Sequence, residues 1–258
     1  MLGPVVIKLG GAVLEDPVAL TNLLQALKPV AARRPLVIVH GGGIIVEQTL
    51  AAMNMTSEKR DGLRVTPPEQ MAVIAGALAG TCNKQLTALA LHSGYRAVGL
   101  CLGDGLMIDT ALLDPALGCV GKPTGRGDSR LLELLLEQGF TPVISSIAIG
   151  RDGGLLNVNA DQAAVAVTQL MLGAELLLLS DVDGILDGNK QLIPEMSSSL
   201  ADELIASGVI HGGMIVKVKA ALEAARTLRQ PIAVASWKQP ERLQLLLAGE
   251  AAGTWVRH

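Results

Sequence analysis

The chain has almost no aromatic residues. Phe140, Tyr95, Trp237 and Trp255 are the only ones in 258 positions. The core must therefore be packed by Leu, Val, Ile, Ala and Met, and the stacking platforms of single-strand nucleic-acid binders are missing. An excess of positive charge is also missing. The formal net charge is −3, which argues against the clustered cations that non-specific nucleic-acid binding needs. Cysteine is sparse: Cys82, Cys101 and Cys119 are widely spaced, with no C-x-x-C pair. That excludes a disulfide framework or a zinc site and fits a reducing compartment. Long apolar runs are absent too. The windows Met71 to Thr81 and Ala163 to Leu179 are too short or are broken by Gln169, Gly173 and Glu175, short of the roughly 20 apolar residues of a membrane helix. A strand pattern begins by Val5, leaving no room for a leader. The expectation is a cytoplasmic protein with neither membrane nor nucleic-acid partner.

Familiar catalytic signatures are missing as well. There is no G-x-x-x-x-G-K-[S/T], no G-x-G-x-x-G, no H-E-x-x-H, no G-x-S-x-G and no readable Cys–His pairing. P-loop, ordinary dinucleotide-binding and hydrolase chemistry have nothing to start from. Asp181-Val182-Asp183-Gly184 is not a calcium loop, because the later ligands are misplaced. No internal repeat is evident.

What is present is an α/β alternation. Half of the residues are apolar, ample for one large domain, and strand-like runs alternate with helical periodicity throughout. That predicts an αβα sandwich around a mainly parallel sheet. The first strand, Val5-Val6-Ile7, runs into Lys8-Leu9-Gly10-Gly11. Leu36 to Val39 runs into His40-Gly41-Gly42-Gly43. An almost wholly aliphatic run, Glu175 to Ser180, ends in Asp181-Val182-Asp183-Gly184, and His211-Gly212-Gly213 feeds a helix carrying Lys217 and Lys219. A buried strand that ends in glycine and enters a helix brings bare N–H groups and a positive helix end to one sheet edge, where anions bind. Lysines at that edge complete a site for phosphates. His40 has no ligand-spaced partner and takes no metal role.

Between these landmarks the pattern predicts a helix from Asp16-Pro17 through Leu27 and an exposed hairpin or loop over Ser57 to Arg64. Thr66-Pro67-Pro68-Glu69 reads as a capping box opening one long helix towards His92. Arg96 to Leu102 and Thr141 to Ile149 read as single strands, and Asn157 to Gln162 introduces a helix that ends near Gly173. A late strand runs from Pro231 to Ser236, and Thr254 to Arg257 reads as an edge strand. The stretch from Leu106 to Asp128 gives only short strands and turns. The composition shift near Gly173 is the one candidate lobe boundary.

Taken together, Lys8-Leu-Gly-Gly, Val39-His40-Gly-Gly-Gly, Asp61-Gly-Leu-Arg64-Val-Thr, Asn157-Val-Asn-Ala-Asp161-Gln, Ser180-Asp-Val-Asp-Gly-Ile-Leu and Gly212-Gly-Met-Ile-Val-Lys217 resemble the acetylglutamate kinases of the amino-acid kinase family, in the family's order and over essentially the whole chain. The resemblance implies a three-layer αβα fold and transfer of the ATP γ-phosphoryl group to the side-chain carboxylate of N-acetyl-L-glutamate. It implies that Lys8 and Lys217 stabilise the transition state and that Asp161 orients both. Gly42, Gly43, Gly10 and Gly11 would offer N–H groups to the reacting oxygens, while Arg64 and Asn157 would grip the substrate. The nucleotide would lie against Asp181, Val182, Asp183, Gly184, Ile185 and Leu186. Val209, Ile210, His211, Gly212, Gly213 and Met214 would form its second wall, with Lys217. Mg2+ would be carried by the nucleotide, with no metal held by the protein alone. A single domain over 1–258 would divide into a substrate lobe, about 1–173, and a nucleotide lobe, about 174–258. A homodimer is implied, and the missing helix before the first strand resembles the arginine-insensitive branch. A sister kinase acting on acetylaminoadipate or its carrier-linked form is the alternative enzyme, and a catalytically silent nucleotide-binding regulator the alternative outside catalysis.

Overall fold

A computed structural model describes residues 3–60 and 62–258; Asp61, within the Gly-Leu-Arg motif, lies outside the described residues. The chain builds an eight-stranded sheet. Across it run Glu195–Met196, Thr254–Val256, Ile232–Ser236, Glu175–Ser180, Val5–Leu9, Leu36–His40, Thr141–Ser145 and Ala97–Cys101. The last six are mutually parallel, and Thr254–Val256 pairs antiparallel with Ile232–Ser236. Everything after Gly173 thus builds one side of the Val5–Leu9 strand, and Leu36–His40 begins the other.

Both sheet faces are covered, as the continuous aliphatic strands require. Ile7, Leu9, Ile38 and Leu177 pack under the helix Pro17–Ala31, whose Leu20, Leu23, Leu24 and Leu27 are all buried. That helix starts as the sequence predicts, with Asp16 accepting hydrogen bonds from the N–H groups of Val18 and Ala19 and Pro17 at its first position. Val6, Val37 and Val39 face the opposite layer, formed largely by Ala160–Leu170 and Gly213–Leu228. Small residues at the contact, Ala163, Ala164 and Ala221 among them, bring those helices close to the strands. Each Leu or Ile buried this way contributes about 1.5–3 kcal/mol.

Several local expectations need correcting. Thr66 does not cap a helix. The helix Pro68–Ala75 begins at Pro67 with no side-chain cap, because the Thr66 hydroxyl donates to the Arg64 carbonyl and accepts from the Asn157 amide. The long helix to His92 is not uniform: Gly76–Cys82 widens into π-helical turns between Pro68–Ala75 and Asn83–His92. Thr141 to Ile149 splits at Ser146, and Ile147–Ile149 leaves to join a second sheet with Leu155–Val158, Val120–Pro123 and Thr110–Leu112. That second sheet gives the stretch around Leu106 to Asp128 its structure. Thr254–Val256 is not the edge strand, since Glu195–Met196 pairs outside it.

Candidate active site

Three neighbouring parallel strands end at the same rim of the sheet: Leu36–His40, Val5–Leu9 and Glu175–Ser180. Strand alternation decides what stands there. Ile7 and Leu9 face one helical layer, so Lys8 shares the other face with Val6. The N-terminus of Ala160–Leu170 approaches on that face. Asn159 caps it, accepting from the N–H groups of Asp161 and Gln162, and Asp161 sits in the first turn, where the helix dipole favours an acid. Lys8 Nζ meets Asp161 Oδ1 at 2.9 Å, its side chain 16% exposed. That carboxylate offsets the cost of sheltering an ammonium from water.

Lys217 reaches the same rim from the first turns of Gly213–Leu228. Its Nζ lies 2.5 Å from Asp181 Oδ1 and 3.1 Å from Ser180 Oγ. The Lys217 hydrogen bond holds the Asp181 carboxyl down at about 2. Asp161 therefore bonds one of the two lysines, and Asp181 holds the other. Ser180, at the end of the aliphatic strand, is a partner that the motif alone did not single out.

Lys8, Gly10, Gly11, Asp161, Asp181 and Lys217 line one cleft of about 270 Å3, closed on its apolar side by residues such as Leu178, Ile185, Met214, Val218 and Trp237. Val182 also faces it. The other expected nucleotide residues do not line it. Asp183 accepts from Gln239 Nε2 at 3.2 Å. Gly184 is a structural glycine, because a Cβ there would come within 2.5 Å of Leu192 and 2.7 Å of Thr254 Oγ1. Leu186 bridges to Leu192, Ile210 is buried, and Val209 packs near Gly188. His211, Gly212 and Gly213 are exposed in the turn that starts the Lys217 helix. Trp237 and Val218 are cleft residues that sequence reasoning missed; a tryptophan just past a strand end was the available signal.

A second cleft of about 260 Å3 shares Lys8, Gly10, Gly11 and Asp161 with the first. Gly41, Gly42, Gly43, Arg64, Asn157 and Ser146 line the rest of it. Gly42 must be glycine, since a Cβ would meet Leu78 at 2.9 Å and Cys82 Sγ at 3.1 Å. Gly10 and Gly11 are different: a Cβ would make only ordinary contacts there, at 3.5 Å or beyond. Their bareness serves the cleft rather than the fold. Asn157 Nδ2 donates to Thr66 Oγ1 at 3.1 Å. Arg64 rises from the Lys59–Arg60/Leu63–Arg64 hairpin. Its guanidinium donates to Gly43 O at 3.1 Å and pairs with Glu47 at 3.0 Å, the side chain 8% exposed. Ser57 accepts from its other nitrogen. Burial alone would raise the Glu47 carboxyl, but hydrogen bonds from Arg64, Ser57 and Lys59 outweigh it and hold the group below its usual value. Glu47 and Ser57 are neighbours of Arg64 that sequence reasoning did not find.

Two clefts that meet at a lysine–carboxylate pair, with bare glycines along both, suit two anionic reactants placed end to end. Among the described residues no group of three His, Cys, Asp or Glu could hold a metal by itself, and no helix is long and apolar enough to cross a membrane. Comparison with known proteins agrees with this geometry. Acetylglutamate kinase of Moritella profunda is 55% identical over 258 residues, covering 99% of this chain and 97% of the relative. Acetylglutamate kinase of Aeromonas salmonicida is 54% identical over 253 residues, covering 97% of each. Among solved structures, the smu.665 protein of Streptococcus mutans superposes with a TM-score of 0.78 at 28% identity over 98% of both chains. Carbamate kinase from Giardia lamblia, bound to AMP-PNP, shares the fold with a TM-score of 0.67 at 15% identity, over 99% of this chain and 98% of that one. The model of the amino acid kinase family matches residues 3–236, and the chain belongs to that family.

Proposed function

We propose that this chain transfers the γ-phosphoryl group of ATP to the side-chain carboxylate of N-acetyl-L-glutamate, giving N-acetyl-L-glutamyl 5-phosphate and ADP, the second step of arginine biosynthesis. The observation that carries the reading is the junction of two glycine-lined clefts at Lys8 and Asp161, with Lys217 lining one and Arg64 the other. Relatives more than half identical over nearly the full chain bear the name of that kinase.

The chemistry asks little of a general base. A glutamate side chain has an ordinary pKa of about 4.3, so its carboxylate is already ionised at neutral pH. A carboxylate oxygen forms the new bond to Pγ as the bond to the β–γ bridging oxygen breaks, and ADP carries away the negative charge. What remains for the protein is to align the reactants and offset that charge. Lys8 and Lys217, which line the same cleft, do so, and Gly10, Gly11, Gly42 and Gly43 offer N–H groups without side chains in the way. Asp161 fixes Lys8, and Asp181 holds Lys217 until a phosphate takes its place. Arg64 receives the α-carboxylate of the substrate as a planar fork, with Asn157 beside it. The apolar side of the larger cleft takes the adenine. Mg2+ would be borne by the nucleotide, since among the described residues no group of three His, Cys, Asp or Glu side chains could hold it alone, and it would add positive charge at the phosphates.

The same reading divides the chain near Gly173 into a substrate lobe and a nucleotide lobe. It places the protein in the cytoplasm as a homodimer. Support for the dimer comes from Ala97–Cys101, a half-buried strand at the edge of the large sheet, a feature that soluble proteins cover. Sedimentation equilibrium tests the dimer, and a monomer at micromolar concentration would refute it. The activity is tested by trapping acyl phosphate with hydroxylamine, offering acetylglutamate, glutamate, aspartate and acetylaminoadipate with Mg-ATP. Turnover is expected with acetylglutamate by a wide margin. Preference for free glutamate or aspartate would overturn the substrate assignment.

A further inference from the structure

His40 is fully buried and ends the strand that feeds the glycine turn, yet the chemistry above makes no use of it. A buried imidazole is costly unless its nitrogens are paired, and both are. Nδ1 lies 2.7 Å from Gly41 O, and Nε2 lies 3.0 Å from Asn83 Nδ2. A carbonyl only accepts, so Nδ1 carries the proton and donates to Gly41, while Nε2 accepts from Asn83. The Asn83 amide is oriented in turn, because its second Nδ2 hydrogen donates to the carbonyl of Val143 at 2.8 Å. Cys82 Sγ adds a weaker donor to the same Gly41 carbonyl, at 3.4 Å.

These contacts fix a peptide plane. In a trans peptide the carbonyl and the following N–H point in opposite directions, and among the described residues no peptide is cis. The Gly41 carbonyl points into the core, towards His40 and Cys82. The Gly42 N–H therefore points the other way, into the cleft that Gly42 lines with Lys8 and Asn157. It has no intrachain partner among the described residues. We infer that His40 is a positioning residue for phosphoryl transfer: its Nδ1–H locks the Gly41–Gly42 peptide so that the Gly42 N–H faces the reacting oxygens. A preorganised donor of this kind is worth about 10²–10³-fold in rate, because nothing has to reorient as charge develops. The inference rests on the kinase reading and adds to it a residue that touches neither reactant.

Isosteric substitution separates this role from simple packing. Asn at position 40 puts an amide N–H where Nδ1 stands and leaves Asn83 without its acceptor. Gln puts its amide near Nε2 and leaves Gly41 without its donor. Both remove a ring and one hydrogen bond from the core, so both lose stability in urea titration. The acyl-phosphate assay on the unmodified protein comes first, and absence of turnover there sinks the kinase reading itself. With that activity in hand, His40→Asn is expected to keep kcat within about threefold, whereas His40→Gln lowers it about 100-fold with the KM for ATP unchanged. In a 15N-labelled sample the Gly42 amide is expected to shift in both variants as the ring is lost, but to gain exchange broadening only in His40→Gln. Equal kcat losses in the two variants, or a folded His40→Gln protein with native kcat, would overturn the role. Where His40→Gln does not fold, Asn83→Ala decides: it keeps the donor to Gly41 and should retain kcat, and a 100-fold loss there would reduce His40 to a core residue.

Discussion

Arg64 works as a fixed fork rather than as a charge. One nitrogen is shared between Gly43 O and Glu47 and another is taken by Ser57, so its plane is set before any substrate arrives. A lysine could supply the charge but not two directed N–H groups. Arg64→Lys is therefore expected to raise the KM for acetylglutamate nearly as far as Arg64→Ala does, about 10- to 100-fold, with kcat changed much less. Steady-state kinetics at saturating ATP would show this, and an unchanged KM in the alanine variant would remove the carboxylate grip. Lys217 should behave in the opposite way. Its ammonium rests on Asp181 and Ser180 at the rim, so Lys217→Ala should lower kcat by about 10²–10³-fold and leave the KM for ATP nearly unchanged. The arginine and both lysines were legible because each belongs to a short motif that contains glycine. Glu47 and Ser57 were not: one lies within a helix and the other in a polar loop, and only the fold brings them to Arg64.

Helix starts and irregular turns carry the precision at the next scale. Asp161 stands where it does because Asn159 caps the helix Ala160–Leu170, and the cap and the acid belong to one turn. Replacing such a cap by alanine costs about 1 kcal/mol. Asn159→Ala should thus lower the free energy of unfolding by about that amount in urea, and it should also reduce kcat, because the turn that aims Asp161 at Lys8 loses its anchor. A stability loss with kcat intact would mean that the Lys8 pair alone holds Asp161. This cap could be read from the sequence, as could Asp16-Pro17. Thr66 misled for a physical reason: its hydroxyl has a tertiary use, joining Arg64 and Asn157, and a local pattern cannot anticipate a partner that distant. The π-helical turns at Gly76–Cys82 were equally hidden, since the apolar spacing continues through them. Their effect is to press Leu78 and Cys82 against Gly42, where only a glycine fits.

At the scale of the whole molecule the buried ionisable groups set the pH range over which the fold is stable. Burial lowers His40 from 6.5 to about 4, although the Gly41 hydrogen bond pulls the other way. Below pH 6.5 the unfolded chain binds a proton that the folded chain refuses, so stability falls as pH drops from 6.5 to about 4 and is unaffected above. The loss over that window is about 3 kcal/mol. Asp181, held at about 2 by Lys217, has a depressed carboxyl; its contribution is present above its ordinary value of 3.8 and is lost only below it. On the alkaline side, burial raises Cys82 from 9.0 and Tyr95 from 10.0, each to about 12. Unfolding releases those protons first, so stability falls again as pH rises past 9. Urea midpoints measured at a series of pH values should show a plateau between about 6.5 and 9, with an acid limb owed to His40. In His40→Asn, the Asn side chain does not titrate, so the stretch between 6.5 and 4 should flatten even though the plateau itself sits lower. If the acid limb kept its slope in that variant, the proton responsible would belong elsewhere, and the buried imidazole would be charged rather than neutral at the foot of the glycine turn.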